Sequence, residues 1–205
     1  MSYSAILDLV ARKSGAPGGG TVGALAAAAG AALVALACRA AGDTGGGGAD
    51  PGELSPLALA AESLARRLCF LAEEDQRAYE RWQVRADGRT LEKSAGRHLS
   101  DWDSGVRGEV GLEAGGPEEG IMAVPCQIGA ACLELVELAG RAKGQVSRPD
   151  LRADLRIATL LVVASGRAAL ELMEVNRPEL PPEKSWVYAR MAGRIVEGLD
   201  KVGIG

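Results

Sequence analysis

Apolar residues recur at spacings of three and four along most of the chain, and they stop at proline- and glycine-rich breaks. Ile6, Leu7 and Val10 predict a first helix over about Tyr3–Lys13, ended by Ser14-Gly15-Ala16-Pro17. A second is expected from about Gly20 to Ala41, followed by a glycine-rich loop from Gly42 to Ala49. Asp50-Pro51-Gly52-Glu53 then opens a long third helix to about Ala86, with Asp50 able to cap it and Glu53 able to reach back. From Gly88 to Gly116 no period is sustained, which predicts mostly loop with short helical turns. Pro117 starts a fourth pattern that runs to about Lys143, with Pro125 expected to kink it or mark its true start. Pro149 opens a helix to about Asn176, and Pro181-Pro182-Glu183 opens the last, to about Val202. No stretch alternates with the two-residue period of a half-buried strand. The expectation is an all-α, antiparallel bundle of about six helices, forming a single domain over residues 1–205.

Composition narrows this picture. A chain of 205 residues is long enough for one buried core, and 47% apolar with 24% charged residues is the balance of a globular protein. The net charge of -4, with no basic arm, argues against a nucleic-acid partner. Only 3% of residues are aromatic while glycine alone contributes 28, so the core must be built from small side chains that let helices approach closely. A core so poor in bulky side chains favours a homodimer over a monomer. The N-terminal MSYSAILDLVARKSG lacks the order of a secretory signal, which predicts a cytoplasmic protein with reduced thiols. Cys38, Cys69, Cys126 and Cys132 show no CxxC spacing and only one histidine accompanies them, so no metal site is expected and the thiols read as buried packing groups. Val22–Cys38 carries no charge, but it is mostly Ala and Gly and is too short for a span of roughly 20 residues, so a buried helix rather than a membrane segment is expected.

The most informative stretch is Ala16-Pro17-Gly18-Gly19-Gly20-Thr21-Val22-Gly23, placed directly before the Ala-rich helix. Unobstructed amides at a helix start suit a carboxylate or other anion; a glycine hinge that packs two helices closely explains the same residues equally well. On either account Gly19→Val should be harmful. Gly18-x-Gly20-x-x-Gly23 also fits the dinucleotide fingerprint, but no strand precedes it, and a phosphate loop of the ATPase kind would need a lysine that is missing.

Four segments, in order, resemble the cyclodeaminase domain of formiminotransferase-cyclodeaminase and the related methenyltetrahydrofolate cyclohydrolases. They are the run Ala16 to Ala26, then Glu73-Glu74-Asp75-Gln76-Arg77-Ala78-Tyr79, then Ala123-Val124-Pro125, then Ala153-Asp154-Leu155-Arg156-Ile157-Ala158 with Asn176 downstream. The resemblance spans Leu7 to about Leu180 apart from Gly88–Gly116. It implies a homodimeric enzyme of folate one-carbon metabolism, either methenyltetrahydrofolate cyclohydrolase or formimidoyltetrahydrofolate cyclodeaminase. A tetrahydrofolate derivative would be its substrate, with no tightly bound cofactor. Asp75 and Asp154 become the catalytic candidates, and Gly18, Gly19, Gly20, Tyr79 and Asn176 the substrate-binding ones. Two positions depart from the pattern: Ala153 stands where a serine is expected, and Leu172 where the first of two asparagines is expected. They motivate the alternative of a catalytically inactive folate-binding or structural member of the same fold.

The residues themselves permit plainer roles. Asp75 and Tyr79, four apart on one helix face, fit one site together, yet an acid on a helix is ordinarily solvated. Asp154 lies among Arg148, Arg152 and Arg156, as on a charged surface, and Asn176 suits a helix C-terminus. His98 stands alone, and Trp82, Trp102 and Trp186 read as packing or interface residues more readily than as a pterin-stacking platform.

Overall fold

The structure, a computed structural model, describes residues 18–43, 50–86 and 117–202, together with Asp8, Val10 and Ala11. Among these residues it is all helical: α1 (Gly19–Asp43), α2 (Pro51–Ala86), α3 (Pro117–Gln145), α4 (Pro149–Asn176), a 3-10 turn (Arg177–Glu179) and α5 (Pro182–Asp200). Asp8 and Val10 are helical within the expected first helix. The rest of that helix, the expected loop Gly88–Gly116, His98 and Trp102 lie outside the described residues.

Four of the helices form a ring in which α1 and α3 each pack against both α2 and α4, and α5 lies against α3 and α4. Contacts fix the directions. Thr21 meets Ala72 and Asp75 while Arg39 pairs with Glu62, so α1 and α2 are antiparallel. A β-carbon on Gly120 would touch Ala78, and Gln145 bonds Glu53, so α2 and α3 are antiparallel too. Asn176 reaches Ile121 and Gly166 lies against Cys132, which makes α3 and α4 antiparallel. One end of the bundle therefore gathers the starts of α1, α3 and α5 and the ends of α2 and α4.

Small residues set the packing distances. Ala24, Ala27, Ala31 and Ala37 of α1 are wholly buried, and a β-carbon on Gly30 would stand 2.8 Å from Val162 Cγ2 and 3.0 Å from the Ala158 carbonyl. The backbones of α1 and α4 thus meet where a side chain has been dispensed with. Both α1 and α3 are long and apolar enough to cross a membrane, but 56% and 67% of their most apolar windows are buried inside the bundle, as core helices are. The outer face of α1 stays apolar as well: Val22, Ala29, Ala32 and Leu36 are exposed, and the first charge is Arg39. Ile157, Leu160 and Ala164 of α4 are exposed beside it.

Helix ends follow their expected signals closely. Asp50 caps α2 through Gly52 N–H to its carboxylate at 2.8 Å, while Glu53 accepts a hydrogen bond from Gln145 instead of reaching back. Pro125 does not start α3, which begins at Pro117 and runs through it. Cys38, Cys126 and Cys132 are buried, and desolvation pushes their thiols up to about 11, 11 and 12, leaving them inert. Cys69 departs from the expectation of a buried thiol: it is exposed.

Candidate functional site

The start of α1 carries three peptide N–H groups, of Gly19, Gly20 and Thr21, that no helical carbonyl can satisfy, because the first intrahelical bond runs from Val22 to the Gly18 carbonyl at 3.1 Å. The partner comes from another helix. Asp75 on α2 receives the Thr21 N–H and lies 3.0 Å from the Thr21 hydroxyl, so its carboxylate caps α1 from 54 residues away. The same hydroxyl is 3.2 Å from the Ala72 carbonyl. Its single proton serves one acceptor at a time. When Asp75 is ionised the hydroxyl donates to it; when Asp75 is protonated the acid donates to Thr21, which turns its own proton to Ala72.

The carboxyl is pressed against the chain. A β-carbon at Gly20 would lie 2.5 Å from Asp75 Cγ, so only glycine lets the acid reach this depth. Burial pushes the Asp75 carboxyl above the ordinary carboxylate range, and the two hydrogen bonds from Thr21 offset that in part. Gly18 and Gly19, by contrast, are exposed, and a β-carbon on either would meet nothing within 4 Å. The close approach expected of the triplet therefore falls on Gly20, and Gly19 is not where a side chain would clash.

Asn176 sits at the same end. Its amide Nδ2 donates to the Ile121 carbonyl at 2.7 Å. Ile121 is four residues before Pro125, which has no N–H to give it, so Asn176 supplies the hydrogen bond that the proline removes. This is why α3 runs through Pro125 unbroken, and it ties the end of α4 to the first turns of α3.

Tyr79 lies one turn beyond Asp75 and is 47% exposed, with its ring stacked on Trp82 at a centroid distance of 5.8 Å. Trp82 reaches across the end of the bundle to Glu179, Nε1 to Oε2 at 3.4 Å. Beside it, Glu119 at the start of α3 is buried and bonded to Lys184 at 2.7 Å. Tyr188 is 2% exposed, and among the described residues its hydroxyl is the one buried side-chain polar atom without a partner. Burial pushes that hydroxyl up to about 12, with the charge of Glu119 adding to the effect. Of the residues not singled out in the sequence, Thr21 had a cue, its place directly after the glycine triplet, whereas Glu119 and Tyr188 had none that marks a site.

Asp154 is not brought to this place. The neighbours Gly23–Ala168 and Gly30–Val162 put Gly20 level with about residue 170 of α4, sixteen residues from Asp154, or about 24 Å along the axis. Asp154 is half-buried in the second turn of α4 at the opposite end, near the Arg148–Asp150 pair. Ala153 is half-buried beside it, and half-buried Leu172 lies one turn before Asn176. Among the described residues no three His, Cys, Asp or Glu side chains gather as metal ligands would.

Fold and geometry define an all-helical bundle whose one end holds a desolvated carboxyl at a helix start, flanked by aromatic rings. Residues 2–93, which include the glycine triplet and the Asp75 segment, match the family model of formiminotransferase-cyclodeaminase. No curated protein sequence matches the chain significantly. Among solved structures, formiminotetrahydrofolate cyclodeaminase from Thermotoga maritima shares the fold with a TM-score of 0.77 at 18% identity, over 98% of this chain and 91% of that one. The family model is the one that the sequence resembles, and its match ends at residue 93; the solved structure shows that the fold is shared along the whole chain.

Proposed function

We propose that the protein is a folate one-carbon enzyme of the cyclodeaminase type, with Asp75 as its proton-transfer group and a tetrahydrofolate derivative as substrate rather than resident cofactor. The observation that carries this is the desolvated Asp75 carboxyl, raised in pKa, at an open helix start. Closing a ring on a formimino carbon passes through a tetrahedral centre and expels ammonia. The departing nitrogen needs a proton, and a carboxyl whose pKa is raised by burial holds one more firmly than a solvated aspartate does, which suits it to that transfer. The exposed amides of Gly18 and Gly19 and the ring of Tyr79 then stand for substrate binding, while Asn176 acts through the Ile121 carbonyl as a positioning residue. Methenyl hydrolysis runs through a comparable tetrahedral carbon and would use the same carboxyl as a base.

We place this activity in a cytoplasmic homodimer joined through the exposed apolar face of α1 and α4. Asp154, Ile157, Leu161, Ala164 and Ala168 follow one another at spacings of three and four on α4, so the acid shares the stripe that this face presents. A two-fold axis through the middle of that face, level with Gly30 and Val162, carries the partner's α4 in reverse. It brings the second copy of the Asp154 position to the level of Gly20 and Asp75, which gives that residue a place in a shared site.

A second reading, a folate binder without turnover, is favoured by one observation: within the chain Asp75 already has a structural task as the cap of α1. The test is an absorbance assay for the methenyl compound, run with formimino- and with methenyl-tetrahydrofolate. Formation of the methenyl compound from the first substrate supports the cyclodeaminase reading; consumption only of the second moves the assignment to cyclohydrolase. Folate binding with neither reaction overturns the enzyme reading. Where there is turnover, mixing inactive Asp75→Asn and Asp154→Asn proteins tests the shared site. Random exchange should restore about a quarter of the sites, and no restoration would remove Asp154 from them.

A further inference from the structure

The chain has seven aromatic residues, three Trp, three Tyr and one Phe. Four of them, Tyr79, Trp82, Trp186 and Tyr188, lie at the Asp75 end of the bundle. In a protein that builds its core from alanine, this concentration is not explained by packing, since Tyr79 and Trp186 are 47% and 61% exposed.

The arrangement follows from unequal helix lengths. Level with Gly20, α1 begins, but α2 continues past that level from Asp75 to Ala86, eleven residues or about 16 Å further. Asp75, Tyr79 and Trp82 are spaced by four and three, so they share one face of that overhang. Trp82 packs against the core and is tethered to Glu179 on the turn between α4 and α5, so the indole spans two helices that are not neighbours in the ring. Tyr79 stacks against it, with planes 28° apart. A rigid ring surface therefore stands one turn of helix from the carboxyl.

We propose that Tyr79, held by Trp82 and Glu179, is the surface on which the planar pyrimidine ring of the substrate's tetrahydropterin lies, and that this contact sets specificity for the pterin half of the molecule. The proposal rests on the folate reading above. The planar aminopyrimidinone ring of a tetrahydropterin gains from a preordered aromatic face, and the hydrogen bond from Trp82 to Glu179 keeps that face from turning away. Trp82 is a positioning residue on this account, and Tyr79 the one that touches substrate.

The test uses two probes, 5-formyltetrahydrofolate, which carries the pterin ring, and p-aminobenzoylglutamate, which lacks it. Titrations monitor calorimetry and the fluorescence of Trp82 in a protein carrying Trp102→Phe and Trp186→Phe. Tyr79→Ala, at an exposed position where folding is not at stake, should weaken the pterin probe by about tenfold, with p-aminobenzoylglutamate unaffected and Tyr79→Phe nearly wild-type. Trp82→Phe, which keeps a ring but cannot bond Glu179, should weaken the same probe by a smaller factor. The pterin probe should also quench Trp82. Equal weakening of both probes by Tyr79→Ala, or unchanged affinity for the pterin probe, overturns the platform while leaving the folate reading standing. A wild-type protein that binds neither probe overturns the folate reading, and the platform with it.

Discussion

The two ends of the bundle hold the same kinds of residue in different states. At one end Asp75 is desolvated, bonded to Thr21 and pressed against the backbone of Gly20. At the other, Asp150 is fully exposed and its carboxyl is held below the ordinary range by the hydrogen bond and charge of Arg148, while Asp50 does the routine work of capping its own helix. All three acids stand beside the start of a helix, Asp75 at that of α1, Asp50 at that of α2 and Asp150 at that of α4. What differs is the neighbour: a glycine at the helix start admits the carboxyl of Asp75, whereas water surrounds the others. An aspartate holds its proton more firmly where the structure has removed water without supplying a cation.

The contrast can be broken most severely at Gly20. A Gly20→Val side chain would have to displace Asp75, so we expect a loss of about 3 kcal/mol in stability together with loss of ligand binding, measured by denaturant unfolding and folate titration. Gly19→Val, one residue away with open space before it, should melt as the wild type does. Equal behaviour of the two would remove the distinction between the glycines.

Next in size is the repair of Pro125. Asn176→Ala strands the Ile121 carbonyl and should cost about 2 kcal/mol, but Pro125→Ala gives that carbonyl a helical N–H and makes the asparagine dispensable. A double-mutant cycle checks this, and additive losses would mean that the two residues are not partners.

A smaller effect separates the two tasks of Asp75. Asp75→Ala loses the α1 cap and should cost about 1 kcal/mol, whereas Asp75→Asn keeps an acceptor for the Thr21 N–H. The pH dependence has a definite sign. Because the folded carboxyl titrates above its unfolded value, the native state binds this proton more tightly. Its contribution is fully present below the unfolded pKa and is lost as pH rises through the raised folded one. The stability of the wild type relative to Asp75→Asn should therefore decline across that interval, and a flat difference would contradict the burial. At the far end, Asp150→Ala should leave both melting and turnover unchanged, since a fully exposed pair is screened.

Much of the fold was legible because helices of this kind carry their own punctuation. The expected α1 from Gly20 to Ala41 differs from the observed Gly19–Asp43 only at its fraying ends, and prolines start α2, α3 and α4 where their missing N–H costs nothing. Pro125 suggested a kink or a helix start because the remedy, Asn176, lies 51 residues away and belongs to tertiary structure. For the same reason the glycine triplet and the Asp75 segment could be noticed separately but not joined. That Gly20 rather than Gly19 faces the acid depends on the register of α1 on α2. The exposure of Cys69 was hidden by its apolar neighbours in sequence: Leu68 and Leu71 are buried in the core, while Cys69 and Phe70 are exposed.

The measurement that bears most directly on the account is the turnover of Asp75→Asn beside the wild type, with thermal melting recorded on the same samples. Removing a positioned proton-transfer group lowers rates by about 10²–10⁴, whereas altering a solvated or purely capping acid changes them little. We expect the asparagine protein to lose turnover of formimino-tetrahydrofolate by such a factor while its stability at neutral pH is undiminished, because the substitution removes the cost of burying a charge. An Asp75→Asn protein that turns the substrate over at the wild-type rate would contradict the account, leaving Asp75 as the cap of a helix and nothing more.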